Sequence, residues 1–300
     1  MIRRSRLHRT SLGKALALTP RDLEIFRVLS RYRYLRSTYL HAFAGGASET
    51  RFKERLGDLF HEGYIDRPAK QWEFASARHL PAIYEIGARA KRVLVESAIC
   101  TDEGATYLGS GAARQFAHAV LICESLASFE IGSQRSADLR FIPGCEICAR
   151  KADRSEQSKS HRSEQFARTL VPDGLFGLEY RAAGKSLYRF FALEIDRGTM
   201  PIARSDSNQT SIYEKLKGYQ QIATLGLQQE RWGIPNLLVL MVTSTEDRKA
   251  DMMRKCASLG HAPQILFKAW EGRPQAPDGT LLTLPWERMA LSPLSIVTAA

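Results

Sequence analysis

Six consecutive apolar residues, Leu237-Leu238-Val239-Leu240-Met241-Val242, follow the turn-forming stretch Gly233 to Asn236. An apolar run of that length without polar alternation suits a strand covered on both faces, which requires helices on either side of a sheet. The neighbouring patterns supply those helices. Ser211-Ile212-Tyr213-Glu214 reads as a capping box that opens a helix carrying Lys215 and Tyr219 four residues apart on one side. A further helix is expected from about Glu246 to Leu259, and a last strand from Ile265 to Trp270. Upstream, Ala112 to Phe129 forms a long helical pattern with Phe116, Ala119, Val120, Cys123 and Leu126 inward. Residues 112–275 therefore predict an α/β sandwich around a mixed sheet, with 276–300 as a C-terminal tail.

The most chemically loaded segment lies between those helices. Residues 171–180 and 187–196 both read as strands, and Ala183-Gly184 can make a two-residue hairpin turn. With the turn there, cross-strand partners have numbers that sum to 367, so Asp173 falls opposite Glu194. Asp196, two residues further on, points to the same face. Carboxylates so close repel one another unless a cation lies between them, and a hard, oxygen-liganded ion such as Mg2+ (or Mn2+) is the natural one. A slip of one residue would send one acid to the opposite face.

The first hundred residues follow a different pattern. Thr19-Pro20 starts a helix with Leu23, Phe26 and Leu29 on its apolar face. Ser37 is expected to cap a short second helix that ends at Gly45-Gly46, and Ser48 a third with Phe52, Leu56, Leu59 and Phe60 buried. Gly63 closes it. Strands are then expected at Tyr64-Ile65, Trp72-Glu73-Phe74 and Tyr84-Glu85-Ile86, with another helix from Ala88 to Ala98. Three helices followed by a small sheet predict a winged-helix DNA-binding domain over residues 16–100, after a basic tail at 1–15. Its third helix would enter the major groove with Arg51, Lys53 and Arg55, and Arg36 and Lys70 are further candidates for contacting DNA. Residues 101–111 read as a linker.

Charge agrees with that division. The chain carries a net +11, and residues 1–100 hold 19 Lys and Arg against 10 Asp and Glu, leaving only +2 for the rest. Concentrated positive charge attracts phosphate polyanions, so double-stranded DNA is the expected partner. No apolar run approaches the roughly 20 residues that cross a bilayer, and the basic N-terminus lacks a secretory core, so a cytoplasmic protein without membrane contact is expected. The five cysteines suit reduced thiols. Cys145 and Cys148 with His161 make only part of a zinc pattern, and two buried thiols are the expectation. The seven histidines include no His-x-His pair for a histidine-metal relaxase, and no glycine-rich phosphate loop supports ATP use.

The chain resembles the replication-relaxation proteins, associated with plasmid replication and DNA relaxation. The resemblance is carried by Leu18-Thr19-Pro20-Arg21-Asp22, Pro172-Asp173-Gly174, Leu193-Glu194-Ile195-Asp196-Arg197-Gly198-Thr199, Lys215 with Tyr219, and the Leu237 to Ser244 strand. It implies a second domain similar to the PD-(D/E)xK restriction-endonuclease-like fold, in which Asp173 and Glu194 bind a metal and Glu124 is an additional acidic ligand. Asp196 stands where that pattern has lysine, which leaves Lys215, or Arg197, to supply the cation. Two functions are then open. One is a metal-dependent DNA nickase or relaxase-like enzyme in which Asp196 is a third ligand or base. The other is a non-catalytic replication or mobilisation factor with a nuclease-like scaffold, working with other replication or mobilisation proteins.

Overall fold

The computed structural model describes residues 5–46, 48–73, 79–97, 116–155, 170–182, 184–198, 200–202, 211–271 and 275–298. Phe74, the linker at 101–111, His161, Ala183 and Thr199 lie outside the described residues. Two compact units emerge: one of residues 1–106, 114–131 and 274–278, the other of 107–113, 132–273 and 279–300. Among the described residues no helix is long and apolar enough to cross a membrane.

In the first unit, α1 (Pro20–Tyr32), α2 (Ser37–Ala44) and α3 (Glu49–His61) bring Ile25, Phe26, Leu29, Leu40, Phe52, Leu56 and Leu59 into one core. Thr19 and Asp22 form a reciprocal cap at the start of α1. Ser48 caps α3 by accepting from the Arg51 N–H. Ser37 does not cap α2 as expected: it is the first helical residue, and its N–H donates to the Ala82 carbonyl. Three short strands, β1 (Leu35–Arg36), β2 (Ile65–Asp66) and β3 (Ile83–Ile86), form an antiparallel sheet in the order β1-β3-β2. Instead of a strand at Trp72-Glu73, residues Ala69–Glu73 make a 3-10 turn. There the Gln71 side-chain amide accepts from the Ile83 N–H (2.8 Å) and donates to its carbonyl (3.0 Å), doing for β3 what a backbone strand would have done. Helix α4 (Ala88–Glu96) follows, and α5 (Phe116–Ser133) belongs to this unit as far as Ile131.

The second unit is built on a seven-stranded mixed sheet. Its strands are β4 (Leu139–Pro143), β5 (Gly174–Ala182), β6 (Lys185–Ile195), β7 (Leu238–Thr243), β8 (Ile265–Ala269), β9 (Trp286–Arg288) and β10 (Leu291–Leu294), lying side by side in chain order. The central steps β6-β7 and β7-β8 are parallel and the outer ones antiparallel. Parallel neighbours need crossovers, and α7 (Ile212–Leu225), α8 (Leu227–Trp232) and α9 (Glu246–Ala257) provide them. On one face Leu216, Tyr219, Ile222, Met252 and Cys256 pack with Leu175, Ala192, Val239, Met241 and Phe267, joined by Ile147 of α6 (Gly144–Ser155). On the other, the rings of Phe141, Phe176 and Phe191 stack at 5.3 and 4.9 Å. The fold is thus mixed α/β, with helices against a large mixed sheet. The segment read above as a tail carries α10 (Thr280–Thr283), β9 and β10, and Trp286 is fully buried.

Candidate active site

The hairpin register sets the site. Gly174 pairs with Leu193 and Ala182 with Lys185, so every partner sum is 367, and Asp173 and Glu194 are the next position beyond the ladder. Gly184 takes φ +75 in the turn, a conformation that costs a side-chain-bearing residue energy. Asp173 accepts the Ile195 N–H at 2.9 Å, which fixes its carboxylate against the end of β6. Glu194 is only 1% exposed and Asp173 3%.

Helix α7 faces this pair. Ser211 caps it by accepting from the Glu214 N–H, and the helical period then places Lys215 and Tyr219 over β6. The Lys215 ammonium donates to Glu194 Oε2, and the Tyr219 hydroxyl donates to Oε1 at 2.6 Å. Burial pushes the Glu194 carboxyl above its usual range; the Lys215 charge opposes that push, and the Asp173 charge adds to it. Tyr219, fully buried beside the same acids, is held well above the ordinary tyrosine value.

Asp196 has other partners. The parallel register carries it to Thr243, whose hydroxyl donates to Oδ2 at 2.9 Å, and Arg248 in the first turn of α9 clasps both its oxygens at 2.6 and 3.0 Å. The hydrogen bonds to Asp196 hold the Arg248 guanidinium above its usual value. Neither Arg248 nor Thr243 was singled out in the sequence. The signal was available in the strand pairing, which sets Glu194 beside Met241 and so carries Asp196 toward Thr243.

The remaining candidates are spread over both units. Glu124 belongs to the first unit, where Arg36 of β1 donates to its Oε2. Burial lifts it to about 7 against the pull of Arg36. Arg55 grips Asp22 with two bonds of 3.0 and 2.7 Å. Lys53 pairs with Glu49 at 2.7 Å while remaining exposed, and Arg51 and Lys70 are exposed. Arg9 of the basic N-terminal segment bonds the Phe60 and Ile65 carbonyls and pairs with Asp66. Cys145 is half-buried and Cys148 exposed, contrary to the expectation of buried thiols. Among the described residues no group of three or more His, Cys, Asp and Glu side chains is placed to hold a metal ion.

A mixed α/β protein with two facing carboxylates, a lysine and a tyrosine at one end of a sheet is the class these observations define. A family model described as replication-relaxation matches residues 26–238, and the chain belongs to that family. Membership points to a role in replication or relaxation of plasmid or mobile-element DNA. No curated protein and no solved structure matches the chain.

Proposed function

We propose that this is a DNA-binding, metal-dependent nicking or relaxing enzyme of plasmid or mobile-element replication. In this reading the first unit is a winged helix that holds duplex DNA through Arg51, Lys53 and Lys70. The second is a PD-(D/E)xK-like nuclease domain. Arg36 and Arg55, engaged with Glu124 and Asp22, support the first unit instead of touching DNA. The observation that carries the reading is the Lys215 ammonium on Glu194, next to Asp173: an aspartate, a glutamate and a lysine meet although the lysine comes from α7 and not from β6.

Asp173 and Glu194 would hold the ion. Two carboxylates suit Mg2+ or Mn2+, which commonly takes one or two acids and completes its shell with water and phosphate oxygens. Their electrostatic conflict, seen in the upward push of Asp173 on Glu194, is what a divalent charge would relieve. When bound, such an ion supplies Lewis-acid polarisation of the phosphate and a more acidic water. The chain's own contribution is positional. Ile195 N–H and Tyr219 hydroxyl fix the orientation of the two acids, and Lys215 offers an ammonium to the charge that builds on the phosphate. Asp196, clasped by Arg248 and Thr243, steadies the end of β6 and is neither ligand nor base. Glu124 is left out of the site because Arg36 holds it.

The deep burial of Asp173, Glu194 and Asp196 favours a second reading, a scaffold in which the ion pairs are structural. Incubating the purified chain with supercoiled plasmid and Mg2+ or Mn2+ decides between them. The enzyme reading expects nicked or relaxed product that Asp173→Asn and Lys215→Met abolish. Intact plasmid under all conditions, with a melting temperature indifferent to Mn2+, leaves the scaffold.

A further inference from the structure

The tip of the β5-β6 hairpin stands clear of the sheet. On the β4 side the last backbone contact among the described residues is the Arg181 N–H donating to the Asp138 carbonyl (2.8 Å), one position past the Leu139–Tyr180 pair, and β7 begins pairing only at Phe191. Asn236 closes the β6 side by accepting the Phe190 N–H (3.0 Å) and donating to the Tyr188 carbonyl (2.9 Å). Beyond that clamp Arg181, Ala182, Gly184, Lys185, Ser186, Leu187 and Tyr188 are all exposed, on both faces of the ribbon. An ordinary sheet strand hides one face. Leu187 is 57% exposed, an unusual place for a large apolar side chain.

The tip is also one-signed. From residue 180 to 193 there is no acid, whereas Arg181, Lys185 and Arg189 are cations. At its base Glu179 is gripped by Arg140, Arg181 (3.3 Å), Ser186 (2.8 Å) and Tyr188 (3.4 Å), across three strands. The bonds from Arg140 and Arg181 hold that carboxyl down at about 2, so it stays ionised and the grip persists. This network stiffens the ribbon where it leaves the sheet.

We infer that the β5-β6 ribbon is a second DNA-contacting element, which lies in a groove of duplex DNA and places Lys185, and the nitrogens of the half-exposed Arg181 that Glu179 does not take, against the phosphates. Two strands about 4.8 Å apart, with their side chains, match a major groove about 12 Å wide. Positive charge without acids is complementary to the duplex, and the exposed Leu187 and Tyr188 give the tip apolar contact area. The inference rests on duplex DNA being the substrate of the proposed function, but not on the metal site.

Salt dependence tests it. The full chain is titrated with a labelled random-sequence duplex over a series of KCl concentrations, comparing wild type with Arg181→Gln/Lys185→Gln. Each lost phosphate contact removes about 0.9 from the slope of log affinity against log salt. The double variant should therefore be shallower by about 1.8, and roughly 60-fold weaker near 0.1 M salt. Lys185→Gln alone, at the exposed turn, should show about half the slope change. A control with the same charge loss on the outer faces of α7 and α9, Lys217→Gln/Arg254→Gln, should keep the wild-type slope. Equal slopes for ribbon variant and wild type overturn the inference. So does an equal loss in the control, which would mean net charge alone. A change in oligomeric state at unchanged slope also overturns it, because the bare β6 edge would then serve chain-to-chain pairing. A wild-type chain that does not bind the duplex defeats the proposed function as well, whereas wild-type binding with an unaltered ribbon variant defeats only this inference.

Discussion

Among the buried glutamates, Glu124 of the first unit and Glu194 of the second each face one cation, and they differ in their company. Glu124 meets Arg36, and its Oε1 has no hydrogen-bond partner among the described residues. Glu194 meets Lys215, but its other oxygen takes the Tyr219 hydroxyl, and a second acid stands across the hairpin. Arginine keeps its charge and presents a rigid fork, which suits a fixed link between β1 and α5. Lysine is a compact charge on a flexible stem, able to follow a phosphate. A buried pair is weak evidence of function by itself; a second acid and a fixed orientation turn one into a candidate centre.

The comparison can be broken most directly at the acids. Asp173→Asn and Glu194→Gln are expected to lower plasmid nicking by at least about a thousandfold while leaving duplex affinity unchanged. Glu124→Gln should leave nicking by folded protein intact; if it abolishes nicking, the division between the pairs is wrong. Its effect belongs to stability. Glu124→Ala leaves the half-buried Arg36 without its partner and should cost about 3 kcal/mol, read by thermal or urea unfolding.

A pH series sharpens the contrast. The Glu124 carboxyl is raised from an unfolded value near 4.5 to about 7, so between those limits the folded chain holds the extra proton. Its stabilising contribution is full below about pH 4.5 and is lost as pH rises to about 7, a change of roughly 3 kcal/mol that Glu124→Gln should remove from the unfolding profile.

Smaller effects separate the anchors from the acids they support. Asp196→Asn loosens Arg248 and should cost about 1–3 kcal/mol in stability while nicking stays within about tenfold of wild type. A collapse as deep as that of Asp173→Asn would restore Asp196 as a ligand. Ser211→Ala removes the α7 cap and should cost about 1 kcal/mol, seen as a modest fall in melting temperature.

Much of the central geometry was legible in the sequence because it is local. A turn expected at Ala183-Gly184 predicts partner numbers that sum to 367, the register the described pairs of β5 and β6 have, so the meeting of Asp173 with Glu194 follows from counting. The helical spacing of Lys215 and Tyr219 likewise fixes that they share a side of α7. What escaped depends on distant partners. Arg248 reaches Asp196 only because β6 and β7 run parallel, which no local pattern announces. Gln71 replaces a strand through its side chain, whereas Trp72 and Glu73 beside it imitate one. β9 is three residues long, too short for any period to be read, although Trp286 is wholly enclosed. Charge was misleading on α3, where Arg55 serves Asp22 inside its own unit.

The first unit is assembled from three separate stretches of chain, the last of them residues 274–278, where Gln275 accepts a hydrogen bond from Thr38. Its gene segment is therefore not a cassette. A recombination event that moved only the opening hundred codons into another reading frame would deliver an incomplete body. Change in either unit would then have to accumulate by substitution in place, with both inherited together.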